Sequence, residues 1–123
     1  MNIGCVSLAG KNMRVLATGS TGVVGDGTIL RFNQEGNIVW AEYSGGRIVK
    51  GALVGVRDGD SLHFHYAQQY SDGAIDTGRS RAFVREADGR LRIEEHFEWQ
   101  SRQGSGVNIF EEITETEGTD PPQ

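Results

Sequence analysis

Glu95 and Glu111 are the two side chains of this sequence whose types and positions most clearly suggest chemistry. They lie in two alternating apolar/polar runs that are joined by a turn at Ser101–Ser105. A five-residue turn would place the two glutamates directly opposite each other, on one face of a hairpin. Facing carboxylates repel, and burial raises the pKa of at least one of them. Such a pair could catalyse proton transfer, bind a cation or hydrogen-bond a ligand; the structural alternative is a rim pair neutralised by Lys50, Arg14 or water.

Three histidines form the second candidate group. His63 and His65 are spaced so that both imidazoles share one face of a strand, and together with His96 they could hold zinc. However, all three alternate with apolar residues, which places them on the outer face of a sheet. We therefore predict no metal site and no cofactor. Arg79 and Arg81 share this outer face and could contact an anion or another protein.

A glycine motif near the N-terminus resembles the dinucleotide-binding fingerprint of extended short-chain dehydrogenases. Thr18, Gly19, Gly22 and Gly25 match the pattern T-G-x-x-G-x-x-G after a strand-like run. The helix that this fingerprint requires would begin with residues 26–28, which are poor helix formers. No βα units follow, so we interpret the motif as a glycine-rich loop between two strands. No serine, threonine or cysteine lies in a recognisable nucleophile motif, and we expect a binding protein rather than an enzyme.

The elements that must position these residues are strands. Between Arg14 and Ile113 the chain divides into about eight alternating runs, each ended by a glycine turn such as Gly45-Gly46. We predict an all-β fold, a single antiparallel up-and-down β-barrel of about eight strands, because closure removes the sheet edges. Residues 1–12 are interpreted as a leader, 13–113 as the barrel and 114–123 as a disordered acidic tail.

Composition excludes several classes of protein. The 123 residues contain 18 glycines and carry a net charge of −5, which argues against nucleic-acid binding. No apolar run approaches the roughly 18 residues of a membrane span, and the N-terminus lacks the pattern of a signal peptide. Cys5 is the only cysteine, so no disulfide framework can form within one chain. We expect a cytoplasmic protein that binds neither membrane nor nucleic acid.

Three segments carry a resemblance to a known family. They are NQEGNIVWAEYSGGRIVKGALVG, DGRLRIEEHFEW and FEEI. They resemble a family of small uncharacterised bacterial proteins, some of which are labelled N-acetylglutamate synthase. The resemblance covers roughly Met13 to Ile113 and implies a calycin-like or avidin-like barrel, without supplying functional residues. The coenzyme A signature of acetyltransferases is not present in the sequence.

Assumed turn lengths assign residues to the barrel interior. The apolar set is Phe32, Val39, Ile48, Val54, Leu62, Phe64, Val84, Ile93, Phe97, Trp99 and Ile109. The predicted ligand-binding residues are Tyr43, Lys50, Tyr66, Gln68, Asp76, Glu95, Trp99 and Glu111. So many polar groups exceed what packing requires, and binding sites combine an apolar lining with a few polar groups.

These assignments leave three functions open. The first is non-catalytic binding of a small molecule inside the barrel, which a cavity of roughly 300 Å³ or more would support. The second is a packed barrel that acts as an interaction module or homo-oligomer through its outer face, where we expect Trp40 and Phe83 to be exposed. The third is an enzyme that uses the glutamate pair.

Overall fold

The protein is a closed antiparallel barrel in which each strand pairs with its neighbours in the chain and the last strand pairs with the first. The computed structural model describes residues 6–19, 23–25 and 27–114. The strands are β1 (Lys11–Ala17), β2 (Ile29–Glu35), β3 (Ile38–Gly45), β4 (Ile48–Asp58), β5 (Ser61–Tyr70), β6 (Ile75–Ala87), β7 (Arg90–Trp99) and β8 (Ser105–Glu112). No helix occurs among these described residues, and the predicted all-β up-and-down barrel is confirmed.

The middle strands follow the predicted register. Asp88 and Gly89 both have positive φ angles, 54° and 80°, as a two-residue hairpin loop of the primed type requires. This loop sets Ala82 opposite Glu95 and Gly78 opposite Trp99. Small residues therefore face large ones across β6 and β7, which lets the interior fill without clashes.

From Lys50 onward the side chains of β4 point to the faces opposite to those predicted, whereas a register shift after Ile48 leaves Ile48 buried, as predicted. The turn before β5 has two residues, Gly59 and Asp60, whereas three were assumed. A shift of one residue reverses every side chain of a strand. Lys50 and Val54 therefore point outward, and Leu53 points inward.

The side chains of β8 also point to the faces opposite to those predicted. Glu98 pairs with Ser105, and the backbone N–H of Trp99 donates to the carbonyl of Gly104 at 3.0 Å. The register differs from the predicted one by three residues, an odd number, so the faces exchange. The predicted inward positions of Ile109 and Glu111 are therefore wrong, and their neighbours in β8 point inward instead.

One end of the barrel, here called the closed end, is sealed by the segment before β1. Leu8 is fully buried, and its N–H donates to the side-chain oxygen of Gln34 at 3.0 Å. The buried guanidinium of Arg57 donates to the carbonyls of Val6 and Gly59, at 2.6 and 2.7 Å. Residues 6–12, which the sequence assigned to a leader, thus pack against the barrel, and β1 begins two residues before the predicted boundary.

Several predictions fall outside the described residues. Cys5, Gly22 and residues 115–123 of the acidic tail lie there. The described residues of the glycine motif, Thr18, Gly19 and Gly25, lie between β1 and β2, as predicted for a loop between two strands, and a closed antiparallel barrel contains no strand–helix–strand unit for a dinucleotide. In the described part of the chain, no helix could cross a membrane.

Candidate functional site

The barrel has an interior cavity near the end opposite the closed end, which we call the cavity end. The loops β1–β2, β3–β4, β5–β6 and β7–β8 lie at this end. The lining residues are Val23, Val24, Leu30, Tyr43, Leu53, Phe64, Tyr66, Gln68, Glu95, Phe97, Trp99, Asn108 and Phe110. The cavity volume is about 20 Å³, room for a single water-sized group. It is therefore far smaller than the roughly 300 Å³ of a drug-sized pocket.

Glu95 supplies the charge in this cavity. It lies on β7 and is 5% exposed. Ser80 donates its hydroxyl to one carboxylate oxygen at 2.5 Å, and Asn108 donates its side-chain amide to the other at 2.9 Å. The hydroxyl of Thr18 donates to the amide oxygen of Asn108 at 2.6 Å, which turns the NH₂ group of that amide toward Glu95. Burial raises the pKa of the Glu95 carboxyl, and the bonds from Ser80 and Asn108 oppose that rise.

Residues 6–113 match the model of the family described as avidin-like protein. The chain belongs to this family. The match covers all eight strands and agrees with the closed barrel. No curated protein and no solved structure matches the chain. The avidin-like assignment supports the avidin-like half of the predicted resemblance and lends no support to the synthase label.

A second polar chain of this avidin-like barrel runs from the cavity to its rim. Tyr43 donates to the side-chain oxygen of Gln68 at 2.8 Å, and the Gln68 amide donates to the hydroxyl of Tyr70 at 3.1 Å. Tyr70 in turn donates to Asp76 at 2.6 Å. Burial, followed by the nearby Glu95 charge, raises the pKa of Tyr43 and Tyr66, so both phenols stay protonated and able to donate.

At the rim, Asp76 contacts Tyr70, Ser101 and Arg102. Burial favours a higher pKa for this carboxyl, but hydrogen bonds from Tyr70 and Ser101 and the charge of Arg102 outweigh it, and the pKa falls. The guanidinium of Arg102 lies 4.2 Å above the ring of Trp99 and 3.3 Å from Asp76. The loop between β7 and β8 is thereby fastened over the aromatic wall of the cavity.

Six of the eight predicted site residues lie at the cavity or its rim: Tyr43, Tyr66, Gln68, Asp76, Glu95 and Trp99. The other two do not. Lys50 is on the outer face with its side chain 66% exposed, and it pairs with Glu42 at 3.3 Å. Glu111 is on the outer face as well, so the predicted facing glutamate pair is wrong and the two carboxylates cannot act on one substrate.

Glu111 is buried by arginines rather than by the barrel interior. Its carboxylate lies 3.0 Å from Arg14, 3.0 Å from Arg92 and 3.5 Å from Arg90. The hydrogen bond from Arg14 is the main cause of the lowered pKa of this carboxyl. Arg14 was one of the partners named in the structural alternative, and it does pair with Glu111, although on the outer face and not beside Glu95.

The histidines occupy the outer face, as predicted. His63 and His65 are exposed on β5, and His96 hydrogen-bonds Glu94 at 2.7 Å. Among the described residues, no group of three or more possible metal-binding side chains comes together.

Thr18 and Asn108 are site residues that the sequence did not indicate. Asn108 was assigned to the outer face because the β8 register was wrong. A register that buries Phe110 in preference to the smaller Ile109 would have placed Asn108 opposite Glu95.

Proposed function

We propose that this avidin-like barrel binds a very small molecule in the cavity beside Glu95. The observation that carries the proposal is a buried carboxylate that accepts one hydrogen bond on each oxygen inside a cavity lined mostly by aromatic and aliphatic side chains. Burying a charged group in such surroundings destabilises a fold, and an apolar residue would pack there at lower cost. A few converging polar groups on an apolar lining are the usual composition of a ligand site.

The volume limits the ligand. About 20 Å³ admits a group of water size in the structure as it stands, so drug-sized molecules are excluded. Val23 and Val24 line the side of the cavity nearest the β1–β2 loop. We therefore expect a ligand whose head group, the part that enters the cavity, is about the size of a water molecule.

The two tryptophans allow a direct test. Trp99 lies against the cavity, whereas Trp40 is 37% exposed on the outer face. A library of two- to five-atom polar molecules can be screened by nuclear magnetic resonance on the indole N–H groups and on the side-chain amide of Asn108. We expect saturable shifts at Trp99 and Asn108 with Trp40 unchanged. Shifts confined to Trp40, or none at any of these groups, would overturn the proposal.

A matched pair of variants locates the binding. Leu53 lines the cavity, and its neighbour Val54 points outward with 58% exposure. Leu53→Phe places a larger side chain in the cavity and fills it. The variant should therefore abolish the shifts, at a cost in stability of about 1–3 kcal/mol. Val54→Phe adds a larger volume on the outer face and should still leave binding intact.

A second candidate function is self-association through the outer face of β3 and β4. Ile38 lies opposite Val56, and Trp40 lies opposite Val54, forming an exposed apolar patch of four side chains. The patch carries no charge, so two copies can pack against each other without like-charge repulsion. Sedimentation of the wild type should show a dimer, and Val54→Lys should dissociate it. Val49→Lys, an equally exposed site outside the patch, serves as the control.

A further inference from the structure

The carboxylate of Glu95 accepts hydrogen bonds from neutral donors and, among the described residues, forms no ion pair with a cationic side chain. Ser80 and Asn108 both donate to it, and Thr18 fixes the donating orientation of Asn108. Donors on both oxygens suit an ionised carboxylate, which is a pure acceptor, better than a carboxylic acid. No lysine, arginine or histidine is among the described residues that line the cavity.

The histidine and arginine side chains near Glu95 contact other carboxylates. His96 is next to Glu95 in the chain but points to the outer face, where it contacts Glu94. Arg79 pairs with Glu98 on the same outer face. Arg102 is at the rim, on Asp76. A buried carboxylate without a paired cation is costly, because its own attraction to neutral donors does not replace a counter-charge.

The walls around Glu95 are suited to a cation. Tyr66 and Phe97 both meet Trp99 edge to face, with ring centroids 5.7 Å apart in each case. Tyr43 also lines the cavity. Aromatic faces attract an ammonium group, and the attraction grows when the group is desolvated. An anion would instead be repelled by Glu95 in surroundings of low dielectric constant.

We propose that the ligand of this cavity carries an ammonium head group of about water size, as methylammonium and ethylammonium do, with Glu95 as its counter-ion. This inference rests on the function proposed above and adds the charge of the ligand to it. Each oxygen of Glu95 accepts one bond from the protein and retains capacity for another, which the ammonium N–H groups would use.

Matched amines and alcohols separate charge from shape. Methylammonium and methanol, and ethylammonium and ethanol, differ little in size, and at pH 8 an alkylamine is protonated as a lysine side chain is. Titrations followed at the Trp99 indole and the Asn108 amide should show each ammonium binding at least tenfold more tightly than its alcohol. In Glu95→Gln the ammonium should fall to the level of the alcohol, while the alcohol is unchanged.

The control is Glu98→Gln, which removes a carboxylate from the outer face of the same strand and should leave the tenfold preference unchanged. If alcohol and ammonium bind the wild type equally well, the charge inference is overturned and the proposed small-molecule function stands. If neither shifts Trp99 or Asn108 in the wild type, while the wider screen finds other cavity ligands, the charge inference alone fails. No cavity ligand of any kind overturns both.

Discussion

The carboxylate of Glu95 and the side-chain amide of Asn108 lie directly opposite each other across β7 and β8 and are joined by a hydrogen bond of 2.9 Å. Asn108 is itself fixed by Thr18, which lies beyond β1. Ser80 of β6 donates to the same carboxylate, so the polar cluster of the cavity is assembled from four consecutive positions around the barrel wall, from β6 through β7 and β8 to the end of β1. Its geometry depends on barrel closure, because β1 and β8 are the strands that close the sheet.

Glu95→Gln tests whether the buried carboxylate destabilises the fold. The folded-state pKa is raised, so the folded protein binds more protons than the unfolded chain as pH rises above the unfolded value of about 4.3. The stability that the protonated carboxyl contributes is present below the pKa of the unfolded state and is lost as pH rises through the pKa of the folded state. Chemical denaturation should therefore show the variant gaining stability relative to wild type between pH 4 and pH 8, by more than the ~0.5 kcal/mol typical of neutral substitutions. A relative loss over that interval would contradict the raised pKa.

Glu111→Gln should have the opposite effect, because this carboxylate is compensated. Its pKa is lowered, mainly by Arg14, so its contribution to stability is present above the unfolded value and is lost as pH falls through the folded value. We expect the variant to lose about 1.5–3 kcal/mol at pH 8, the range for hydrogen bonds to charged groups. Glu42→Gln, which breaks an exposed pair with Lys50, should cost less than about 1 kcal/mol. Equal losses in the two variants at pH 8 would show that the arginine cluster adds nothing.

The alternation of residues was enough to predict the barrel and the inward faces of β5, β6 and β7. Tyr66, Gln68 and Glu95 were placed correctly because the short turns at Gly73 and Asp88–Gly89 have the assumed lengths. A strand with one apolar face turns that face to the interior whichever strand it pairs with. The alternation of residues and the turn residues therefore determine most of which side chains point inward.

The positions that failed depend on loops whose length the sequence leaves ambiguous. The run Ser101–Ser105 allows several turn lengths. The length that was assumed assigned the side chains of β8 to the wrong faces and placed Glu111, instead of Asn108, opposite Glu95. The error at β4 did not extend to β3. A bulge near Tyr43 shifts the register again, so the side chains of β3 point to the predicted faces. Long-range contacts such as Thr18 with Asn108 join the two ends of the chain, and no local pattern encodes them.

Gly78→Ala should destabilise the barrel beside the cavity. A Cβ atom at this position would clash with the hydroxyl of Tyr66 and lie 2.8 Å from the carbonyl oxygen of Glu98. We expect a loss of about 1–3 kcal/mol in the free energy of unfolding, as for other overpacked interiors. Adding Tyr66→Phe should recover part of the loss, because the hydroxyl is the atom nearest the new methyl group.

Gly25→Ala is the matched control for Gly78→Ala. Its added Cβ would meet no heavy atom within 4 Å, so its effect should stay within about 0.5 kcal/mol. Similar losses at the two positions would mean that the contact with Tyr66 is not the cause.

Arg57→Lys tests how the closed end of the barrel is held. The guanidinium donates from Nε to the carbonyl of Gly59 and from Nη1 to both the carbonyl of Val6 and the side-chain oxygen of Gln34. A lysine ammonium cannot reach all three acceptors in that geometry, and partly buried acceptors would lose their partners. We expect a loss of about 1.5–3 kcal/mol by chemical denaturation, together with faster hydrogen exchange at the N–H of Leu8. Arg31→Lys, on the exposed face of β2, should change neither quantity. Unchanged exchange at Leu8 in Arg57→Lys would show that the segment before β1 is held by apolar packing alone.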